Sequence, residues 1–423
     1  MNNDNSTLHH AALHGHTSTV ALLLADGTTI EALDKDRNTP LHLAVWKNHT
    51  DVAELLLDRG AFTQVTNRYF NTPLHLAVWN GHTGMAELLL ERGALIEGNI
   101  RHQVHVHEVP WYETPLHLAA AKGHTGMVEL LLRKGALIGV PSYYGNTPLH
   151  FAARSSYTDT VGLLLKAGGA IQSVNHRDFT PLHLAALNGH IGTAKLLLEQ
   201  GASIEPEQRA GVTPLHYAAQ HGRIEVVELL LRKGASIEAS DNLDRTPLHF
   251  ATWNGHIQVV ALLLGKGASI DASDNPGRTP LHFAARIGHT HVVKLLLEKG
   301  ASIEASDNLD RTPLHFATRN GHTHVLKLLL EKGASIEPRE CDGTTPLHYA
   351  AQDGNIQIVE LLLGKGASIE ASDDLGRTPL HFATRNGHTH VVKLLHEKGA
   401  FIKLRNDNGA TPFHFAARHG RIV

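Results

Sequence analysis

Thr279-Pro280-Leu281-His282-Phe283-Ala284-Ala285-Arg286-Ile287-Gly288, followed by His289-Thr290-His291-Val292-Val293-Lys294-Leu295-Leu296-Leu297-Glu298-Lys299-Gly300-Ala301, spells two short helices with a stop after each. Thr279 is a preferred N-cap, because its hydroxyl can accept from a free backbone N–H of the first turn. Pro280 suits the first helical position, where no donor is needed. Leu281 and the apolar residue that follows the histidine face inward, and His282 stands where a capping box places Glu or Gln, so it reads as structural. Gly288 and Gly300 can take the left-handed conformation that ends a helix, with Lys299 favourable at the negative end of the dipole. Val292, Val293, Leu295, Leu296 and Leu297 give the second helix a broad apolar face. The stretch Ser302 to Arg311, rich in Asp and Asn, carries turn chemistry and leads to the next threonine.

The signature returns at Thr39, Thr72, Thr114, Thr147, Thr180, Thr213, Thr246, Thr312, Thr345, Thr378 and Thr411, and a degenerate copy begins at Ser6. The interval is 33 residues throughout, except that the step from Thr72 to Thr114 is longer by nine. Self-similarity at that period marks a solenoid of stacked supersecondary units. Thr-Pro-Leu-His-x-Ala-Ala, Gly-His, Leu-Leu-Leu and Gly-Ala at these offsets resemble the ankyrin repeat, over essentially the whole chain. The resemblance implies an all-α solenoid with short β-hairpin fingers, a curved superhelical stack of antiparallel helix pairs. It also implies a concave face, built from fingers and first helices, where partner proteins bind. With helices ~10 Å apart, a dozen units would extend on the order of 100 Å.

The whole chain, 1–423, therefore reads as one array in two styles. Residues 1–210 carry individually distinct copies, and residues 211–423 carry near copies, of which the last is truncated at Val423; Gly234 to Thr252 is identical to Gly300 to Thr318. Block duplication explains the second style, so a unique site is expected in the first. The ragged end predicts a fragment or truncated reading frame, since solenoid ends need a polar outer face. At the other end, His10 replaces the apolar residue of later copies and suits an exposed cap.

Hydrophobic residues make up 42% of the chain but aromatics only 5%, which suits a core of Leu, Ala, Val and Ile in closely approaching helices. A formal net charge of -3 offers none of the basic excess that drives nucleic-acid binding. Cys341 is the single cysteine, which excludes an internal disulfide and a cysteine-based zinc cluster. With neither a signal peptide nor a spanning segment legible, the expectation is a monomeric cytoplasmic protein that needs no cofactor, delivery into a host cell being an open alternative.

Some copies depart from the pattern. Asn48 replaces the helix-ending glycine, an acceptable left-handed residue. Ser155-Ser156-Tyr157 replaces a Gly-His corner, where local opening is expected. His396 occupies a leucine position and is expected to loosen its core. The nine-residue insertion lies within 98–113, and its alternation from Gln103 to Val109 predicts a protruding hairpin. There His102, His105 and His107 form a weak zinc or nickel candidate, although a solvated hairpin is the preferred reading.

Thirty-four histidines invite a catalytic or metal reading, but most recur once or twice per copy, and a residue repeated in every copy is scaffold. No nucleophile elbow, phosphate loop or carboxylate pair is legible, so the chain reads as no enzyme. Recognition has more to stand on. Trp46, Tyr69, Phe70, Trp79, Trp111, Tyr112, Tyr143, Tyr144 and Phe179, with Trp253 further on, sit at finger and first-helix positions where Ala121, Gln220 and Arg286 elsewhere impose no apolar requirement. Trp and Tyr are enriched among interface anchors. In the second style, Arg245, Arg278, Arg311 and Arg377 precede the threonine, and Arg286, Arg319, Arg385 and Arg418 end the first helix. These rows fit an acidic partner, unless the fingers' aspartates neutralise them in exposed pairs of little energetic consequence. The expected function is a protein-binding scaffold or adaptor. Its alternatives are the targeting segment of a larger enzyme or channel continuing beyond Val423, and an elongated spacer.

Overall fold

The computed structural model describes residues 3–97, 113–206, 209–418 and 420. The chain divides into two compact units, Met1–Pro206 and Glu207–Val423. Among the described residues there are 25 helices and no strand, and after Asn3–Leu13, which lacks the Thr-Pro start, helices of nine residues alternate with helices opened by the Thr-Pro signature. Within each unit, successive first helices pack side by side, as Pro40–Trp46 does on Pro73–Trp79 and Pro280–Ile287 does on Pro313–Arg319.

The signature histidine does more than occupy a capping position. Nδ1 of His42 accepts the backbone N–H of Thr39 at 3.1 Å, while Thr39 Oγ1 accepts the N–H of His42 at 3.4 Å, which closes a capping box. On its far side, Nε2 of His42 donates to the carbonyl of Asn71 in the next finger, 3.0 Å away. A ring that accepts at one nitrogen and donates at the other is neutral and in a single tautomer, so the hydroxyl of Thr39 also donates to Nδ1, at 2.8 Å. The same bridge to the following finger recurs from His117 to Asn146, from His216 to Arg245 and from His282 to Arg311. These helix starts are thereby tied to the next copy, whereas Nε2 of His315 is buried without a hydrogen-bond partner among the described residues, and the imidazoles of His42, His117, His150 and His216 are fully buried.

Second helices bury one stripe. Val292, Val293 and Leu296 are at most 2% exposed, each removal from water contributing about 2 kcal/mol, whereas Leu297 lies at the half-buried edge. His396 occupies that edge position and is exposed. Val391 and Leu395 of its helix stay buried, whereas Val392, the counterpart of the fully buried Val293, is half-buried.

The Gly-His corner has a steric explanation. Gly288 has φ +89°, and a Cβ built on it would lie 2.5 Å from the ring of His322 in the following copy. His322 in turn donates from Nε2 to the carbonyl of Arg286, 3.0 Å away. Asn48 takes φ 60° at the equivalent position, as expected of an Asn there, and Ser156 takes φ 67°. Tyr157 fills the departure from this corner, its ring packing where a Cβ on Gly123 would collide.

The fingers are held by turns rather than by strand pairing. At each tip the residue two before the threonine is left-handed, whether Gly277, Gly376, Arg37, Phe70, Asp244 or Asp310. One backbone bond crosses between neighbouring tips, for example from the N–H of Asn308 to the carbonyl of Pro276 at 2.9 Å. A second tie comes from a carboxylate: Glu304 Oε1 accepts the N–H of Ser335, and Glu31 Oε1 that of Phe62, at 2.6 and 2.7 Å. The expected protruding hairpin lies almost wholly outside the described residues.

Candidate recognition surface

Two positions in each copy face outward from this scaffold: the fingertip, and the last residue of the first helix. The second is held rigidly from behind. His82 donates from Nε2 to the carbonyl of Trp46, His124 to Trp79, His289 to Trp253 and His322 to Arg286, at 3.0 to 3.4 Å. The corner histidine thus fixes the backbone of the residue that presents the variable side chain. The sequence gives these histidines no such role. Their constant spacing from the preceding copy's glycine is the signal that points to a joint.

In the first unit, Trp46, Tyr69 and Trp79 converge on one cleft of about 270 Å³, lined also by His75, Leu118 and Glu113. The three rings are 48%, 52% and 41% exposed, so the fold leaves much of each to solvent. Each also carries a cation of its own: Lys47 on Trp46 at 4.6 Å, Arg68 on Tyr69 at 5.4 Å and Lys122 on Trp79 at 3.5 Å. None of these cations lines the cleft. Burial pushes the Glu113 carboxyl up to about 7, against the opposing pull of Arg154, and among the described residues no Lys or Arg pairs with it. Sequence reasoning passed over Glu113. Its register reveals it, since the same position before the threonine is Asn in Asn38 and Asn71 and Arg in four later copies.

The other aromatic candidates do not join this cleft. Tyr143 and Tyr144 form an edge-to-face pair at 5.1 Å on another fingertip, both mainly exposed. Phe179 stacks on His183, and Phe70, half-buried with φ 59°, serves as the left-handed turn residue of its finger. Trp253, in the second unit, borders a smaller hollow with Phe250 and Phe283. Trp111, Tyr112, His102, His105 and His107 lie outside the described residues. Among the described residues no group of three His, Cys, Asp or Glu is placed to hold a metal ion.

The arginine rows separate. Arg245, Arg278, Arg311 and Arg377 fold back onto Asp241, Asp274, Asp307 and Asp373, with N–O distances of 2.5 to 2.6 Å. The expectation of exposed pairs is corrected here: the aspartate side chains are at most 2% exposed, and the arginine side chains only 19 to 30%. The carboxylates are buried because Oδ1 accepts the backbone N–H groups that close the fingertip, as Asp307 does from Leu309 and Arg311, both at 3.0 Å. Burial pushes the Asp307 carboxyl up, but the Arg311 guanidinium and these N–H groups outweigh it and hold the carboxyl below its usual range. Each arginine of this row also packs on an aromatic ring, Arg311 on Phe316 at 4.9 Å.

The second row is more open. Arg286 packs on Trp253 at 5.4 Å and Arg319 on Tyr349 at 5.3 Å, and among the described residues no carboxylate pairs with Arg286, Arg319 or Arg385. Arg385 borders a shallow site with Phe382 and Phe415.

No described helix is long and apolar enough to cross a membrane. A family model described as ankyrin repeats in three copies matches residues 8–100, 94–178, 168–241, 237–307, 304–373 and 370–423. Ankyrin repeats are in general modules for protein–protein interaction. No curated protein matches the chain. With the signature, its bridging histidine and the paired helices recurring along the described residues, the chain belongs to the ankyrin-repeat family.

Proposed function

We propose that this chain is a protein-binding scaffold or adaptor whose partner docks along the fingertips and first-helix ends, anchored in the cleft of Trp46, Tyr69 and Trp79. The observation that carries this reading is the exposure of three large aromatic rings around one cleft, on backbone that corner histidines hold in place. Nothing in the scaffold needs tryptophan there, since Ala121 and Gln220 fill the same position in sister copies. Rigid aromatic anchors in a preformed hollow lower the ordering cost of association. The chain acts by binding rather than by catalysis, its bridging histidines being engaged in the joints between copies.

A second patch, Arg286, Arg319 and Arg385, suits acidic side chains on the same partner. Arg245, Arg278, Arg311 and Arg377 are mostly withdrawn from that role by their buried aspartates. The test is affinity capture from lysate with the whole chain and with Trp46→Ala combined with Trp79→Ala. Loss of the captured protein, with an unchanged circular-dichroism melt, supports the reading. Unchanged capture rejects the cleft as anchor, and the absence of any captured protein favours a spacer. Where the second arginine row contributes, capture weakens as salt is raised.

A further inference from the structure

We infer that the cleft of Trp46, Tyr69 and Trp79 receives an arginine side chain of the partner protein, with Glu113 as its counter-charge. This rests on the recognition surface proposed above and names the chemistry of its anchor. Three observations carry it together. The walls are electron-rich ring surfaces, which attract a cation and stack on a planar guanidinium. Cations already favour these rings, for each holds one of the chain's own, and none of those cations lines the cleft. The lining includes a carboxyl group partly withdrawn from water that forms no ion pair among the described residues, Arg154 acting on it without one, although the same position elsewhere carries arginines that are paired.

The register makes the contrast specific. At the position before the threonine, later copies place a guanidinium over a phenylalanine ring and against a buried aspartate. In the first unit the carboxylate and the rings are present at this level of the stack, and the only guanidinium acting on the carboxylate among the described residues, that of Arg154, forms no ion pair with it. A partner's arginine completes the set, its planar fork matching the carboxylate in a way that an ammonium does not.

Protonation of Glu113 opposes this binding, because burial favours its neutral form and a bound cation favours the charged one. Affinity should therefore rise between pH 6 and pH 8, values that bracket its raised pKa of about 7. The other charged and titratable groups around it are His75 in the lining, Arg154 in the following copy, and Lys47, Arg68 and Lys122 over the three rings. His75 keeps Nδ1 as the acceptor of the Thr72 N–H at 3.3 Å, the bond of a neutral ring.

The experiment uses the full chain labelled with 5-fluorotryptophan, whose four tryptophans give separate ¹⁹F signals. The probes are N-acetyl-arginine methylamide and its uncharged analogue N-acetyl-citrulline methylamide. The arginine probe should move the Trp46 and Trp79 signals with a millimolar Kd and leave Trp253 in place, and the citrulline probe should bind at least about tenfold more weakly. Glu113→Gln should abolish both that preference and the pH dependence without altering the melt. Equal binding of the two probes, equal movement of Trp253, no binding of the arginine probe at pH 8, or an unchanged Glu113→Gln profile would each overturn the inference. Where capture of a partner survives Glu113→Gln but not the tryptophan replacements, the scaffold reading stands and the arginine inference falls.

Discussion

Two fingertips of the first compact unit and four of the second close with different chemistry, while Asp34 in the first and Asn406 in the second cross that division. In the first, Asn175 accepts the N–H groups of Arg177 and Phe179 through Oδ1, and its amide donates to Asn146 Oδ1 at 2.8 Å. Asn67 does likewise with Asn38. At four fingertips of the second unit an aspartate takes the backbone role, and a buried carboxylate requires a cation, so an arginine four residues on is drawn in to neutralise it. The neutral lock leaves the neighbouring surface free to vary, and there the exposed Tyr69, Tyr143 and Tyr144 appear. The ionic lock binds up the row of charge that a sequence reading would offer to a partner. A basic stripe in a repeat protein is therefore not evidence of a basic surface until its carboxylates have been located.

Acid tests what the units share. Burial lowers the pKa of His42, His117 and His150 in the first unit, and of His216, His282 and His315 in the second, from 6.5 to about 4. Unfolded chains bind more protons across that window, so the stabilisation is complete above 6.5 and is lost as pH falls toward 4, on the order of 3 kcal/mol for each ring. Both units should lose helicity together between about pH 6 and pH 4, followed by circular dichroism. Their common loss follows from the geometry, because protonating Nδ1 sets a donor against the threonine N–H. Were one unit to stay folded through this window, its histidines would not be the buried neutral links described above.

Removing the lock tests what the units do not share. Asp307→Ala deletes the acceptor of two backbone N–H groups and strands the guanidinium of Arg311, and should cost about 3–5 kcal/mol in urea unfolding. Asn175→Ala deletes the equivalent neutral bonds and should cost about 1–3 kcal/mol. Asp307→Asn, which retains the acceptor, should fall between wild type and Asp307→Ala; equality with wild type would make the two chemistries equivalent and dissolve the distinction.

The smallest effect concerns Phe70, a bulky residue in the left-handed position that Gly145, Gly277 and Gly376 fill elsewhere. Phe70→Gly should stabilise the first unit by up to about 1 kcal/mol, read as a rise in Tm. The matching change Gly376→Phe should destabilise the second. A loss of stability on Phe70→Gly would show that the phenyl ring's packing outweighs its backbone strain.

Most of the fold was legible because it is local chemistry repeated: Thr39 as cap, Pro40 at the first position, His42 in the box and Gly288 at the stop can each be read from neighbours in sequence. Contacts that cross between copies were not. The bond from His322 to the Arg286 carbonyl spans 36 residues, and nothing within either copy announces it. The aspartate pairs were seen but misjudged in burial, because their depth depends on the backbone N–H groups that the fingertip turns inward. The edge position of His396 was not legible either, since a leucine run does not show which leucine lies at the helix edge. Of the site, Trp46, Tyr69 and Trp79 were found as exposed aromatics at helix ends and tips, whereas Glu113 required the register of the whole array.

The corner in which one copy's glycine admits the next copy's histidine also works as a standard coupling. Most described joints use the same two parts, so a block of whole copies can be inserted, removed or exchanged and the new junction will still mate. Gly321 with Asn355 and Gly123 with Tyr157 are couplings of a different gauge. The near identity of Gly234–Thr252 and Gly300–Thr318 is what such interchangeability leaves behind when a gene lengthens by copying. It permits the array to grow at one end of its sequence while the anchor around Trp46 and Trp79 stays untouched.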